Sequence, residues 1–257
     1  PALHYRWAYN ADWAYLQFGK TSIPEATEQE QFELGRKNAQ FFLRWPVMLG
    51  VTEDTVSEVE RTYEAFLCMF AEHLEQQDYL FGEQPSFADF AFYGPLYAHL
   101  YRDPESYKIM QRVAPNVSAW VERCQTGGSQ AGDMIQNDQI PDTLRAIMTY
   151  QMREQLPVLL ASDAMLNAWA KNAEVAEQVP RGFEQTPVTI GEAQGTCLAR
   201  SFPIWRLQAA LDRYQLMDAQ EKIKADEFLD SIGGSALKNY QLSYRLARKH
   251  AELVIVS

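Results

Sequence analysis

The sequence predicts a mainly α-helical protein, and three of its features lead to that prediction. Apolar residues recur at steps of three and four along much of the chain, which is the spacing of one helix face. Helix start signals, either a proline in the first turn or a capping side chain, precede several of these segments. The clearest β pattern is at residues 186–202, where two extended runs flank a glycine-containing turn. We therefore expect a helical bundle followed by a helical extension that carries a small β-hairpin.

The predicted helices follow one another with short connections. Residues 2–18 are expected to form two short helical pieces that are broken near Asn10, where Asn10 or Asp12 caps the second piece. Later helices are expected at residues 27–44, 51–78, 85–104, 104–113, 115–123, 143–174, 203–216 and 218–231. The helix at 143–174 is expected to kink at Pro157. The segment QTGGSQAGD at 125–133 predicts a boundary or exposed loop, and the last six residues predict a strand.

The stretch PSFADFAFYGPLYAHLYRDP at residues 85–104 carries its own start signal. Ser86 is placed to accept a hydrogen bond from the N–H of Asp89, and the Asp89 carboxylate to accept one from the N–H of Ser86. This reciprocal pair is a capping box. The apolar residues that follow leave no polar stripe, which predicts a helix buried at the centre of the core. Gly94 before Pro95 reduces the clash that proline causes, so we expect a kink there and not a break.

Composition and charge exclude several functions. The formal net charge is -11 and the isoelectric point about 4.9, so a nucleic acid would be repelled. No apolar run reaches the length of about 18 residues that a membrane span requires, and the first residues do not have the pattern of a signal peptide. The three cysteines are scattered and form no CxxC pair, which is typical of a reducing compartment. The sequence therefore predicts a cytoplasmic protein with no nucleic-acid or membrane partner.

Motifs for metal or nucleotide chemistry are missing from the sequence. The four histidines are far apart, HExxH and paired Cys/His spacings are absent, and neither a P-loop nor a GxSxG elbow occurs. We therefore expect no metal site and assign no catalytic residue. Cys68 is interpreted as a small buried hydrophobe, with a reactive thiol as the alternative. His99 is interpreted as a hydrogen-bonded core histidine, with a polar group in a pocket as the alternative.

The aromatic N-terminal segment contains the candidate substrate-binding residues. Tyr5, Arg6 and Tyr9 combine aromatic surface with hydrogen-bond donors and one positive charge, which suits an aromatic or anionic ligand. Packing against a neighbouring domain explains the same residues equally well. The sequence leaves both interpretations open.

The run YLFGEQPSFADFAFYGPL at residues 79–96 closely resembles the C-terminal all-α domain of the glutathione transferase superfamily. In that family a capping box starts the central buried helix and serves folding, and Ser86 and Asp89 hold those two places here. The run APNVSAWVER at 114–123 resembles the next signature of the family. The resemblance implies a helical domain at residues 1–124, a linker or loop at 125–142, and an extension at 143–257.

The segments ALHYRW, AHLYRDP, REQLP and VTIGEAQGT resemble, more narrowly, an atypical group of bacterial transferase-like proteins with a long C-terminal extension. Proteins of the superfamily begin with a thioredoxin-like domain that binds glutathione and supplies the activating residue. This chain shows none of the signatures of that domain, so we expect it to be absent here and the chain alone to be inactive.

Two functions follow from the resemblance, and the sequence leaves both open. In the first, this chain is the substrate-side domain of a glutathione-dependent transferase or reductase. Glutathione would be the co-substrate of the parent protein, and a small electrophile would be the second substrate. The partner of this chain would be a thioredoxin-like domain. A homodimer is compatible with this function. In the second, the chain is a non-catalytic module that binds ligands or proteins.

Overall fold

The computed structural model of the chain is mainly helical and describes residues 1–127, 132–137 and 139–256. It divides into two compact units, Pro1–Ile147 and Met148–Ser257. The predicted fold class is confirmed, since helices dominate and a small antiparallel hairpin lies in the C-terminal part. The predicted loop at 125–142 is only partly covered, because 128–131 and 138 lie outside the described residues.

The first unit is built from helices joined by short turns. Two π-helical turns, Tyr5–Tyr9 and Leu96–Tyr101, interrupt the α-helices. The α-helices are α1 (Ala2–His4), α2 (Ala11–Ser22), α3 (Glu28–Ala39), α4 (Trp45–Met48), α5 (Val56–Gln76), α6 (Phe87–Pro95), α7 (Pro104–Val113) and α8 (Pro115–Gln125).

Helices α2 and α3 pack with their backbones in close approach. A Cβ atom on Gly19 would lie 1.7 Å from the carbonyl oxygen of Gln31, and one on Gly35 would lie 1.7 Å from that of Tyr15. Glycine is therefore required at both positions. The predicted helix at 27–44 is too long, because α3 ends at Ala39 and turns connect it to α4.

The core of the first unit lies between α5 and the two helices α7 and α8. One face of α5 buries residues at three and four residue steps, as the periodicity predicts. The Phe70 ring meets the Trp120 ring edge-on at 4.9 Å between centroids. The largest fully buried side chains of this unit include Tyr63, Leu67, Phe70, Tyr79, Leu80, Met110, Val117 and Trp120.

The prediction that residues 85–104 form a helix buried at the centre of the core is wrong for α6, whereas Leu96 and Leu100 in the π-helical turn that follows are buried. Asp89 is the only fully buried residue of α6, while Phe87 is 96% exposed and Phe90 is 45% exposed. Phe92 packs on the aromatic rings of α5, so one side of α6 contacts the core and the opposite side is open. The chain stays helical through Pro95, where α geometry changes to the π-helical turn.

The second unit combines helices with two small sheets. Helix α9 (Asp142–Ala170) begins in the first unit, continues into the second, and stays helical through Pro157. The remaining elements are β1 (Gly182–Ile190), β2 (Ala193–Arg200), α10 (Ser201–Gln215), α11 (Ala219–Ser231), a short 3₁₀ helix (Ser235–Leu237), β3 (Leu246–Lys249) and β4 (Glu252–Ile255). The predicted C-terminal strand is present as β4, which pairs antiparallel with β3.

The β1–β2 hairpin is the one that the sequence predicts. Its two-residue loop begins at Gly191 with φ 58°, a conformation that favours glycine and that suits the right-handed twist of the strands. The N–H of Gly191 donates to Glu154 on α9 at 2.8 Å, which attaches the loop to that helix.

Candidate functional site

Tyr5 lies in the interior of the first unit. Its side chain is 3% exposed, and its ring packs at 5.4 Å on that of Tyr63 and at 5.9 Å on that of Tyr9. Burial, followed by the charges of Glu60 and Glu64, raises the pKa of the Tyr5 hydroxyl well above its ordinary value. The Tyr5 phenol therefore stays protonated and supports the turn that carries Tyr9.

Arg6 is occupied by an ion pair with Asp103, which precedes α7. Its Nε donates to Oδ2 of Asp103 at 2.7 Å, and Nη2 donates to Oδ1 at 2.6 Å and to the carbonyl of Ala98 at 3.1 Å. The Asp103 side chain is fully buried. In this geometry the guanidinium connects the N-terminal segment to the start of α7.

Tyr9 is the exposed member of the predicted trio, at 56%. Its hydroxyl donates to Oε1 of Glu60 at 2.8 Å, and the same oxygen lies 2.7 Å from Nε2 of His4. The hydrogen bond to Glu60 raises the pKa of Tyr9. Partial burial acts to raise the pKa of Glu60, but the hydrogen bonds from His4 and Tyr9 outweigh it and lower that pKa.

The sequence did not indicate Glu60 or Asp103 as members of this site. Glu60 is 51 residues from Tyr9 and Asp103 is 97 residues from Arg6, so no local spacing connects them. The expected cap at Asn10 or Asp12 is also wrong, since no side chain caps α2. The Asn10 amide instead donates to the carbonyl of Tyr5 at 3.0 Å, and its oxygen accepts from the N–H of Glu105.

His99 lies beside the Arg6–Asp103 pair. Its Nδ1 is buried and has no hydrogen-bond partner in the part of the chain that the structure describes, so the predicted hydrogen-bonded core histidine is wrong for this atom. Burial, followed by the charge of Arg6, lowers the pKa of His99. The ring is therefore neutral near pH 7.

Ser86 and Asp89 make both hydrogen bonds of a capping box. The N–H of Asp89 donates to Ser86 Oγ at 3.4 Å, and the N–H of Ser86 donates to Asp89 Oδ2 at 2.8 Å. The other carboxylate oxygen, Oδ1, accepts from the N–H of Leu80 at 2.9 Å and from Nε1 of Trp120 at 3.2 Å. Asp89 thus connects the start of α6 to the preceding loop and to α8.

The three cysteines are free thiols that differ in burial. Cys68 is exposed, so the interpretation of a buried hydrophobe is wrong for it. Cys124 and Cys197 are buried; burial, followed by the charge of Asp89, raises the pKa of Cys124 to about 12, and burial also raises the pKa of Cys197. Two of the three thiols are therefore protonated near pH 7.

The described ranges contain neither a cluster of metal-binding side chains of the common types nor a helix fit to span a membrane. No group of three or more His, Cys, Asp or Glu side chains that could hold a metal ion occurs among residues 1–127, 132–137 and 139–256. Over the same ranges, no helix has the length and apolar composition of a membrane span.

The first unit is thus a helical domain with an aromatic N-terminal segment. The comparison with known protein families also gives a helical domain. Residues 25–126 match the family model described as Glutathione S-transferase, C-terminal domain. The matched segment runs from just before α3 to just after α8 and contains Glu60, Ser86, Asp89 and Asp103. Tyr5, Arg6 and Tyr9 precede it. Comparisons with curated proteins and with solved structures gave no match.

Proposed function

We propose that this chain is the helical substrate-side domain of a glutathione-dependent transferase or reductase that acts on a small electrophile. The observation that carries the proposal is the match of residues 25–126 to the C-terminal domain of glutathione S-transferases. Glutathione would be the co-substrate of the parent protein and would be held by a thioredoxin-like domain. The narrower resemblance to bacterial proteins with a long extension belongs to the same proposal.

The π-helical turn Tyr5–Tyr9 is the proposed wall of the electrophile site. The exposed Tyr9 ring offers apolar area to the reacting compound, while Tyr5 and Arg6 hold the turn in place through the buried ring and the ion pair. Tyr9 remains protonated because its hydroxyl donates to Glu60, so it binds and orients and does not remove a proton. The nucleophilic thiolate would be that of glutathione, activated outside this chain.

The open side of α6 supports a domain partner. Phe87 and Phe90 are one turn apart on the same face of that helix, and both are exposed. Exposed aromatic side chains at this spacing are typical of a surface that another domain covers. We propose that the thioredoxin-like domain covers it.

The same exposed face supports the second candidate, a non-catalytic module that binds ligands or proteins. The two candidates differ in whether the parent protein conjugates glutathione.

For location and assembly we propose a cytoplasmic protein, since none of its three cysteines forms a disulfide. A homodimer is proposed on the resemblance alone.

The test compares this chain alone with a longer protein in which it follows its thioredoxin-like domain. Calorimetry with glutathione and a conjugation assay with chlorodinitrobenzene are carried out on both proteins. We expect binding and turnover by the longer protein and neither by residues 1–257. A longer protein that binds glutathione without turnover of any electrophile supports the non-catalytic module. Micromolar binding of glutathione by the isolated chain contradicts the assignment of glutathione recognition to the thioredoxin-like domain.

A further inference from the structure

Asp163 is a buried carboxylate on α9 in the second unit, with 2% of its surface exposed. Its Oδ2 accepts from the Tyr240 hydroxyl at 2.7 Å and from Nδ2 of Asn167 at 3.1 Å. Its Oδ1 is buried and has no hydrogen-bond partner among the described residues, and the same holds for Oδ1 of Asn167. Two acceptor oxygens on consecutive turns of one helix therefore lack donors.

The surroundings of Asp163 along α9 are apolar. Leu159 and Leu160 belong to a cluster with Tyr240 on the N-terminal side, and Leu166 belongs to another cluster on the C-terminal side. No Lys, Arg or His forms a salt bridge with Asp163 in the described ranges. A buried carboxylate without a cation is costly, and so is each buried acceptor without a donor.

A single group that supplies both a positive charge and hydrogen-bond donors satisfies the carboxylate and the two acceptor oxygens together. Divalent metal ions are commonly held by several carboxylate, thiolate or imidazole ligands, and the described residues contain no group of three or more His, Cys, Asp or Glu side chains that could hold one. A water molecule supplies two donors but no charge. An ammonium group supplies the charge and three or four N–H donors, and the ammonium ion is close to water in size.

We propose that Asp163 and Asn167 bind an ammonium group through their two Oδ1 atoms. The Tyr240 oxygen, whose proton is donated to Asp163, retains lone pairs for a third contact. The ligand is either the free ammonium ion or the terminal ammonium of a small primary amine. The site is outside the segment that matches the transferase family, so it does not depend on the proposed function.

The test measures the thermal unfolding midpoint of the full chain in ammonium, methylammonium and tetramethylammonium chloride at equal ionic strength. At an ammonium concentration of ten times its dissociation constant, ammonium is expected to raise the unfolding midpoint by about 3 to 6 °C relative to tetramethylammonium, which has no N–H donor. A rise with methylammonium as well indicates a primary amine ligand, and a rise with ammonium alone indicates the free ion. Equal midpoints in the three salts overturn the proposal.

Two variants make the test specific. Asp163→Asn is expected to abolish the rise in the unfolding midpoint. Asp226→Asn is the matched control, because Asp226 also accepts a hydrogen bond from a tyrosine hydroxyl, that of Tyr214, at 2.6 Å. Asp226 is not part of the proposed site, so its variant is expected to keep the rise. An Asp163→Asn protein that keeps the full rise overturns the proposal. If that variant does not fold, crystals of the wild type with thallous ion, which resembles ammonium in size and charge, show whether a monovalent cation occupies the site. An anomalous peak between the two Oδ1 atoms supports the site, and an ordered water without such a peak contradicts it.

Discussion

Arg6 and Asp103, which are 97 residues apart in the sequence, form a two-pronged ion pair with contacts of 2.6 and 2.7 Å. The carboxylate is fully buried and the guanidinium nearly so. The planar fork of arginine matches the two oxygens of a carboxylate, a geometry that lysine does not reproduce. The pair therefore fixes the N-terminal segment against the start of α7.

Removal of one member of this pair is expected to destabilise the first unit strongly. Arg6→Ala or Asp103→Ala leaves a buried charge without its partner, which typically costs about 3 to 5 kcal/mol in the free energy of unfolding. The double variant is expected to cost less than the sum of the two, and urea unfolding of all four proteins measures the coupling. Additive costs would show that the ion pair does not hold the segment.

The capping box is expected to respond unequally to its two substitutions. Ser86→Ala removes one capping acceptor and is expected to cost about 1 kcal/mol. Asp89→Ala also leaves the buried donors of Leu80 and Trp120 without an acceptor, so we expect a cost of about 3 kcal/mol or more. Denaturant midpoints of the two variants provide the comparison. Equal costs would contradict the structural role of the second carboxylate oxygen.

Helix positions and the hairpin could be predicted from the sequence because their signals are local. The Ser86–Asp89 box, the prolines that start α7 and α8, and the glycine of the hairpin loop act within a few residues. The burial of α6 could not be predicted, because an apolar helix is the same in sequence whether another domain covers it or not. Phe87 shows this: its side chain is apolar and almost wholly exposed.

The approach of α2 to α3 leads to a test with a matched control. Gly35→Ala places a methyl group where the backbone of α2 lies, so the two helices must separate. We expect the free energy of unfolding to fall by about 3 kcal/mol, which is the upper end of the range typical of overpacked cores. Asn38→Ala, on the exposed side of the same helix, is expected to be neutral or slightly stabilising. A Gly35→Ala protein as stable as the Asn38→Ala protein would contradict the backbone contact.

The cluster of His4, Tyr9 and Glu60 predicts a small acid-dependent loss of stability. The pKa of Glu60 lies below its ordinary value of 4.5 in the folded chain, so its contribution is present above that value and is lost as the pH falls through the folded pKa. Because the side chain is 37% exposed, we expect Glu60→Gln to cost less than about 1 kcal/mol near pH 7. The difference from the wild type is expected to shrink on acidification, and parallel stability curves from neutral to acidic pH would contradict it.

The candidate site could be predicted only in part. The residue types of Tyr5, Arg6 and Tyr9 indicated aromatic and polar contacts, but their partners lie on α5 and before α7, where only the tertiary fold brings them close. Tyr9 is the exposed ring, and Tyr5 and Arg6 are the two supporting side chains, because the three residues differ in how deeply they are buried. The sequence of a short aromatic segment does not determine which of its side chains are buried.

The kinetic effect of Tyr9→Ala in a protein that contains both the thioredoxin-like domain and this chain is the most direct test of the substrate-side assignment. The Tyr9 side chain is 56% exposed, and the proposed function places its ring against the electrophile and not against glutathione. We therefore expect a rise in the KM for the electrophile of roughly tenfold, with the KM for glutathione unchanged. Phe202→Ala, which removes a ring of similar exposure (53%) from the second unit, is expected to change neither constant. An unchanged electrophile KM in Tyr9→Ala, or an equal rise for both substrates, would contradict the assignment.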